Sequence, residues 1–375
     1  MNPVLEALLD VVKTDPLPTA HTSSYWQQYG RETTERDVRD SMREEDPLRK
    51  PFPTLHEEGL GIVDVGSRGG LHAMFQEVAP LSEVVGFEPD AVECQRLTLQ
   101  AQHGSRFKSL TYLPFALGEA DGEDTLHLCR SPGASSFYQP NRALVDRFPD
   151  AQRYDVVEAR RVPMRSLDSL RREPLIRLPR RIDFIKIDTQ GSELRILRGG
   201  AETLRSHVVA LEVEVEFASL YDGQPLFRDV DTFVASLGFS LFKLRRQEWV
   251  RRNYAARPSL SAGQLVFADA LYLRDPLASP QAWTPRDAHQ IEALIVLATL
   301  FDLHDFALEL LSTPQFAGQL EAAEPIRGWV ERRSRQLQSF HQRLRAARAW
   351  YEAGRGLRRY AARWGRGDTN FYSAL

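Results

Sequence analysis

FIKIDTQGSELRILRGG, residues 184–200, opens as a strand for the middle of a sheet and then carries two charges. Side chains alternate along a strand, so Phe184, Lys186 and Asp188 share one face and Ile185 and Ile187 the other. The charged pair ends an apolar run, just before Gly191 and a helix that the pattern carries through Leu204. Opposite charges there serve either as a buried ion pair that fixes the strand end or as part of a site. Glu193 falls in the first turn of that helix, where the helix dipole favours an acid on its own account.

On both sides of this stretch, strands alternate with helices. Strands are expected at 61–66 (GIVDVG), 82–89 (SEVVGFEP), 107–118 (FKSLTYLPFALG), 182–188 (IDFIKID), 208–217 (VVALEVEVEF), 239–246 (FSLFKLRR) and 265–275 (LVFADALYLRD). A short strand at 125–130 (TLHLCR) would pair back as a hairpin after the acidic turn EADGED. Helices are expected over Leu71–Ala79, over Asp90–His103 with Ala91, Cys94, Leu97 and Ala101 on one side, and near Val230–Leu237. Such alternation predicts an α/β fold, a mostly parallel sheet with helices on both faces. The boundaries follow: an N-terminal lead-in over 1–59, the α/β domain over 60–276, and a helical extension over 277–375.

In that extension Thr284 reads as an N-cap, with Pro285 at the first helical position and Asp287 in the first turn. A second long helix is expected over about 322–364. Val330, Leu337, Leu344 and Tyr351 recur every seven residues along it, with Phe340 and Ala347 between, but Arg333 and Gly354 interrupt the seam. A packed helical hairpin fits this better than a coiled coil, and it offers a surface for self-association. The many arginines of this helix read as a solvated face or as a surface for anionic partners.

Composition narrows the function. The 375 residues are 42% hydrophobic and 26% charged, ordinary for a globular protein, and the net charge of -3 gives no pull towards nucleic acid or membrane. Two cysteines, Cys94 and Cys129, cannot build a disulfide framework or a tetrahedral zinc site, as suits a reducing cytosol. MNPVLEALLDVVKTD lacks a basic start and a long apolar run, so no signal peptide is expected, and no stretch is apolar enough to span a membrane. A cytoplasmic protein is the expectation.

The chemistry gathers at strand ends. GIVDVGSRGG places Asp64, Gly66, Gly69 and Gly70 where the first strand meets a helix, a turn that lets a ligand approach the backbone and the free N–H groups of a helix start. Glycines there can also be purely architectural, and the spacing is not that of a dinucleotide fingerprint. Glu88 ends the second strand, 24 residues after Asp64, and is placed to accept hydrogen bonds from both hydroxyls of a ribose. In ALEVEVEF, Glu212, Glu214 and Glu216 share one face, which reads as a strand leaving the sheet to face a cleft. Those clustered carboxylates suit sugar hydroxyls better than a metal, since no histidine pair supports a metal site. SPGASSFYQPN, residues 131–141, carries Ser135, Ser136, Tyr138 and Asn141 and reads as a flexible loop that could close over a ligand.

The segments VDVGSRGG, GFEPD, LPFALGEADGEDTLHL, SSFYQPN, VPMRSLDSL and DFIKIDTQGSELRILRGG, in that order, resemble the FkbM family of class I S-adenosylmethionine-dependent methyltransferases. The resemblance covers about 60–275, and its most specific mark is an I-K-I-D-x-E-G-x-E pattern in which Gln190 here replaces a glutamate. It implies a Rossmann-like, mostly parallel seven-stranded sheet and methyl transfer from S-adenosylmethionine to a hydroxyl of a sugar, glycoconjugate or secondary metabolite. It further implies that Asp64, Gly66, Ser67, Gly70, Glu88, Pro89, Ala116 and Asp188 hold the donor. Asp188 would serve as a base or as the group that orients the acceptor, with Lys186 holding it ionised and Glu212 and Glu214 completing the catalytic set. The alternatives are a non-catalytic scaffold that binds a nucleotide or S-adenosylmethionine, and a NAD-dependent oxidoreductase.

Overall fold

The computed structural model describes residues 48–102, 105–255, 262–278, 280–281 and 283–353, with side chains as far as 339. Both sheets belong to one compact unit. In order come α1 (Pro53–Glu58), β1 (Leu60–Val65), β2 (Ser82–Phe87), α2 (Ala91–Gln102), β3 (Ser109–Leu113), β4 (Ala116–Leu117), β5 (Gly122–Cys129) and α3 (Arg142–Val145). Next are β6 (Val156–Arg165), α4 (Leu167–Arg172), β7 (Phe184–Ile187), α5 (Glu193–Gly199), α6 (Ala201–Ser206), β8 (Ala210–Glu216), α7 (Phe227–Ser236), β9 (Phe239–Trp249) and β10 (Gln264–Arg274). The helices α8 (Ala288–Leu300), α9 (His304–Ser312), α10 (Pro314–Ala317) and α11 (Ala323–Ala353) follow.

Seven strands form one sheet in the order β3-β2-β1-β7-β8-β10-β9. Only β10 runs antiparallel to its neighbours. This is the expected α/β, Rossmann-like sheet. Successive strands move outward one way from β1 and the other way from β7, so the order reverses between them. In open α/β sheets a ligand crevice lies at such a reversal, outside the carboxyl ends of the strands. The strand that carries Lys186 and leads into Asp188 therefore ends at the crevice.

The interior follows from strand composition. Val63, Val65, Ile185, Ile187, Leu211, Val213 and Val215 are buried with α5, α6 and α7 against them. On the opposite face Phe184 packs at 5.2 Å from Phe75 and 5.7 Å from Phe301, ring centre to ring centre. Below the sheet, every residue of α8 after Ala288 is buried. Its His289 bonds the Asp183 carboxylate at 2.9 Å, and its Glu292 accepts the Leu55 amide at 3.0 Å.

Several expected elements differ, each for a local reason. The strand over 107–118 breaks into β3 and β4 because Pro114 has no N–H for the ladder. β4 joins a separate small sheet, β4-β6-β5, in which β5 pairs antiparallel with β6 and not back on β3. The helix expected over Leu71–Ala79 is a 3-10 segment, Ala73–Leu81, and the one expected through Leu204 divides at Gly200. Asp287, not Thr284, caps α8: its carboxylate accepts the Gln290 amide at 3.1 Å, while the Thr284 hydroxyl donates to the Pro280 carbonyl. Residues 131–141 are pinned rather than loose, with Ser136 bridging to His127 and Pro140 to Tyr221. In the expected seam on α11, Val330 is buried and Leu337 half-buried, whereas the side chains of Phe340, Leu344, Ala347 and Tyr351 lie outside the described residues, as do residues 1–47 and 354–375 altogether.

Arg274, the last residue of β10, is almost wholly buried with no carboxylate partner among the described residues. Its guanidinium donates to the carbonyls of Leu204 at 2.7 Å and Val208 at 3.2 Å, and to Leu237, so one cation closes the ends of α6 and α7. It also lies 3.9 Å over the Phe239 ring. Burial, with Arg286 nearby, pushes its pKa down to about 10. Arg274→Met keeps the apolar stem and removes every donor. Each lost bond to a charged group is worth about 1.5–3 kcal/mol, so a loss of roughly 3 kcal/mol or more in urea denaturation is expected. Stability equal to that of the wild type would show that those carbonyls find other donors.

Candidate active site

The ends of β1, β2, β7 and β8 build the site. After β1 the chain turns through Gly66, Gly69 and Gly70, all at positive φ, at 76°, 85° and 85°. A Cβ at position 66 would stand 2.0 Å from the Asp188 carbonyl oxygen, so only glycine lets the ends of β1 and β7 come together. Gly69 and Gly70 face open space instead: a Cβ at 69 would meet nothing within 4 Å, and one at 70 only the Tyr112 hydroxyl at 3.9 Å. The amides of Gly66 and Ser67 both donate to the Phe87 carbonyl at 3.1 Å, which ties the loop to the end of β2.

Tyr112, Gly86, Asp64, Lys186 and Glu212 stand in register across five strands and share one face. A Cβ at Gly86 would lie 2.4 Å from the Tyr112 ring and 2.5 Å from the Ser67 hydroxyl, so the glycine makes room for both. Lys186 is the cation of this row. Its Nζ lies 3.3 Å from Asp64 and 3.8 Å from Asp188. Burial works against its charge, but Asp64 first, then Asp188 and Glu212, outweigh that and hold the amine above its usual range. The expected Lys186–Asp188 pair is thus real but secondary: Asp64 is the nearer partner, its side chain 1% exposed against 40% for Asp188.

One step further out, Gln190 takes a left-handed φ of 58° and donates its amide to Asp188 Oδ1 at 3.1 Å and to Glu214 Oε2 at 2.5 Å. The Tyr221 hydroxyl lies 3.1 Å from Gln190 Oε1, and the Ser136 hydroxyl donates to the Gln190 carbonyl at 2.6 Å. Beyond it, carboxylate oxygens of Glu193, Glu214 and Glu216 come within 4.8 Å of one another, all buried. Glu193 Oε1 accepts the Thr189 amide at 2.8 Å and its hydroxyl at 2.9 Å. Burial nonetheless pushes Glu193 up to about 7, with Asp188 adding to the effect. Burial and neighbouring acids raise Glu214 and Glu216 well above the usual carboxylate range. Carboxylates this close can share a cation or hold protons. Asp269, bonded by Arg245 Nε at 2.8 Å, closes the row beside Glu214.

The expectation that Glu212, Glu214 and Glu216 mark a strand leaving the sheet does not hold. β8 stays paired with β10 through Glu216 and with β7 as far as Val213. Its acids are tolerated inside because Lys186, the Gln190 amide and raised pKa values remove the cost of bare charge.

Glu88 is buried at the end of β2, its Oε1 accepting the Asp90 amide at 2.9 Å. Arg68 of the glycine loop reaches over to it at 3.7 Å and bonds Asp90 at 2.9 Å. Burial, the largest effect, raises the Glu88 pKa against the pull of that amide and of Arg68. Asp64, Gly66, Ser67, Gly70, Glu88, Lys186, Asp188, Glu212 and Glu214 thus line one end of the sheet. Pro89 follows Glu88, half-buried. Ala116 instead sits among Leu126, Val162 and Met164 of the small sheet. Sequence reading passed over Arg68, Tyr112, Tyr221, Arg245 and Asp269, which join the site only through the register of β3, β9 and β10 and the return of 131–141 over Gln190.

Residues 64–241 match the family model described as the methyltransferase FkbM domain. These residues are an FkbM methyltransferase domain. The family is S-adenosylmethionine-dependent. No curated protein matches the chain. Among solved structures, an FkbM methyltransferase from Methylobacillus flagellatus KT is 16% identical over 58% of this chain and 44% of its own, with a TM-score of 0.33. This chain therefore spans less than half of that one. Magnesium protoporphyrin IX methyltransferase from Synechocystis PCC 6803 is 11% identical over 68% and 86%, with a TM-score of 0.30. A putative tRNA (m1A22) methyltransferase from Streptococcus pneumoniae is 11% identical over 74% and 98%, also at 0.30. Among the described residues, no helix is long and apolar enough to cross a membrane.

Two outcomes follow from these charges. Asp64→Asn leaves Lys186 buried without its nearest partner and should cost up to about 3–5 kcal/mol, whereas Asp188→Asn, at a half-exposed position, should leave the melting temperature nearly unchanged. Equal losses in thermal denaturation would refute the ranking of the two pairs. The second outcome concerns pH. Acids whose native pKa exceeds the ordinary 4.5 lose protons more readily unfolded, so stability falls as pH rises. For Glu193 the fall runs from about 4.5 to about 7, and Glu214 and Glu216 carry it higher. The slope is at most about 1.4 kcal/mol per pH unit for each proton. Glu214→Gln and Glu216→Gln should each flatten it, and wild-type stability that stays level from pH 5 to 8 would count against the assignment.

Proposed function

We propose that this FkbM domain is an O-methyltransferase whose acceptor is a hydroxyl of a sugar, glycoconjugate or secondary metabolite. The observation that carries the reading is Asp188. It is the half-exposed acid at the reversal of the sheet order, with one oxygen fixed by the Gln190 amide at 3.1 Å and the other 3.8 Å from Lys186. A carboxylate so held keeps a lone pair for an incoming hydroxyl.

The residues present fit S-adenosylmethionine. Open space over Gly69 and Gly70 lets a ligand lie against the backbone, and Glu88 at the end of β2 is placed for a ribose. Gly66, Ser67, Gly70, Glu88, Pro89 and Asp188 would hold the donor, with Asp64 acting through Lys186 and Ala116 from the neighbouring sheet. When bound, S-adenosylmethionine supplies an electrophilic methyl carbon. Asp188 would orient the acceptor hydroxyl and take its proton as the C–O bond forms and the donor's methyl–sulfur bond breaks, leaving the neutral thioether S-adenosylhomocysteine. Lys186 places its charge 3.8 Å from Asp188, and the buried Glu212 and Glu214 hold Lys186 and Gln190 in place. Catalysis here rests mainly on positioning.

Calorimetry with S-adenosylhomocysteine tests the donor site. Glu88→Ala should weaken binding by about 10–150-fold, the worth of a charge-assisted hydrogen bond. Unchanged affinity in a folded variant would remove Glu88 from the ribose. Labelled S-adenosylmethionine offered with a panel of sugars and phenols tests the chemistry. Asp188→Asn should slow transfer by about 10²–10⁴-fold if Asp188 is the base. Donor binding without transfer to any hydroxyl would favour the scaffold reading.

A further inference from the structure

Arg251 and Arg252 both hold Phe148, which follows Arg147 in the chain. The Arg251 guanidinium lies 4.3 Å over the Phe148 ring. Arg252 donates its Nε to the Phe148 carbonyl at 3.2 Å and its amide to the Arg147 carbonyl at 2.9 Å, which joins the end of α3 to the segment after β9. Arg251 is fixed further by a bond from Nη2 to the Gln264 side chain, and its Nη1 is buried with no acceptor. Among the described residues none of the three forms an ion pair. Asp146, next in the chain to Arg147, pairs with Arg142, and Asp155 pairs with both Arg142 and Arg130.

Arg147 and Arg251 hold like charges near one another without an ion-pair partner among the described residues, which is costly. Burial and then the nearby Arg147 charge push the Arg251 pKa down. A buried guanidinium nitrogen without an acceptor adds the cost of an unmade hydrogen bond. An oxyanion removes both costs, and the planar fork of arginine matches phosphate oxygens two at a time. Rings link this patch to the site: Phe148 packs on Trp249 at 5.3 Å, Trp249 on Tyr154 at 6.4 Å, and Tyr154 on Tyr221, the partner of Gln190, at 5.9 Å.

We infer that Arg147, Arg251 and Arg252 form a binding site for a phosphate group, separate from the carboxylates of the candidate active site. The phosphate is either free or carried on a sugar. The inference does not depend on methyl transfer.

Titration calorimetry of the full chain in low-salt, phosphate-free buffer tests it, with inorganic phosphate, glucose 1-phosphate and uncharged glucose as probes. Saturable binding of the two phosphates and none of glucose is expected. Arg147→Gln and Arg251→Gln should each weaken phosphate about 10-fold or more. Arg142→Gln, whose arginine is already paired, should bind as the wild type does, and S-adenosylhomocysteine should bind all four proteins alike. Tighter binding of glucose 1-phosphate than of phosphate assigns the site to a phosphorylated sugar, and equal binding assigns it to free phosphate. Arg147 is exposed, so its variant decides the matter even if Arg251→Gln unfolds. No saturable signal with either phosphate at about 10 mM, or wild-type binding by Arg147→Gln, overturns the inference.

Discussion

Everything at the carboxyl end of the sheet depends on one buried cation. Lys186 lies between Asp64 on β1 and Glu212 on β8, with Asp188 two residues further along its own strand. Without it, three acids would stand close together at low dielectric, each raising the cost of the others. With it, Asp64 can be buried, the end of β7 can approach β1 as closely as Gly66 permits, and Asp188 can reach solvent with a cation 3.8 Å away. The pair is not there for stability alone, since a well-packed apolar pair would often do as well. It allows a carboxylate to be displayed at the one place where the strand order opens a crevice.

The acids further out are accommodated differently. Among the described residues no lysine or arginine pairs with Glu193, Glu214 or Glu216 as Lys186 does with Asp64. Amides do that work instead: Gln190 between Asp188 and Glu214, the Thr189 and Gly191 amides on Glu193. The remainder is met by holding protons. A graded set results, from the half-exposed Asp188 to interior carboxyls that stay neutral as pH rises. Gln190 marks the border between the two regimes, and its left-handed backbone is the kind of local strain that persists where surrounding contacts fix it.

Much of this was legible in the sequence, because local chemistry had to agree with the sheet. The apolar runs around Ile62, Ile185 and Val213 gave the parallel strands, and charges at 64, 88 and 188 at strand ends located the crevice. What could not be read was anything that depends on register between distant segments. Tyr112 belongs to the site only because β3 pairs with β2 opposite Gly86, and Asp269 only because β10 returns beside β8. The same limit explains the misreading of Glu212, Glu214 and Glu216. A row of acids looks like an exposed face until the facing lysine and amides, far away in the chain, are known. Pro114 was visible, but its effect, sending Ala116 into a second sheet, depended on β6 being there to receive it.

The charge arrangement also bears on the direction of the proposed reaction. Asp64, Asp188 and Glu212 outnumber Lys186 at the ends of β1, β7 and β8, a surplus of acidic over basic side chains. A surplus of that sign favours a sulfonium over the neutral thioether left after methyl transfer, and it favours a neutral hydroxyl over an anionic acceptor group close to Asp188. The phosphate proposed at Arg147, Arg251 and Arg252 is consistent with this only because it lies beyond the aromatic partition. Were the two charged regions adjacent, each would neutralise the other. The rings of Tyr221, Tyr154, Trp249 and Phe148 keep them apart, and that separation lets one protein surface present an acidic crevice and a basic patch at once.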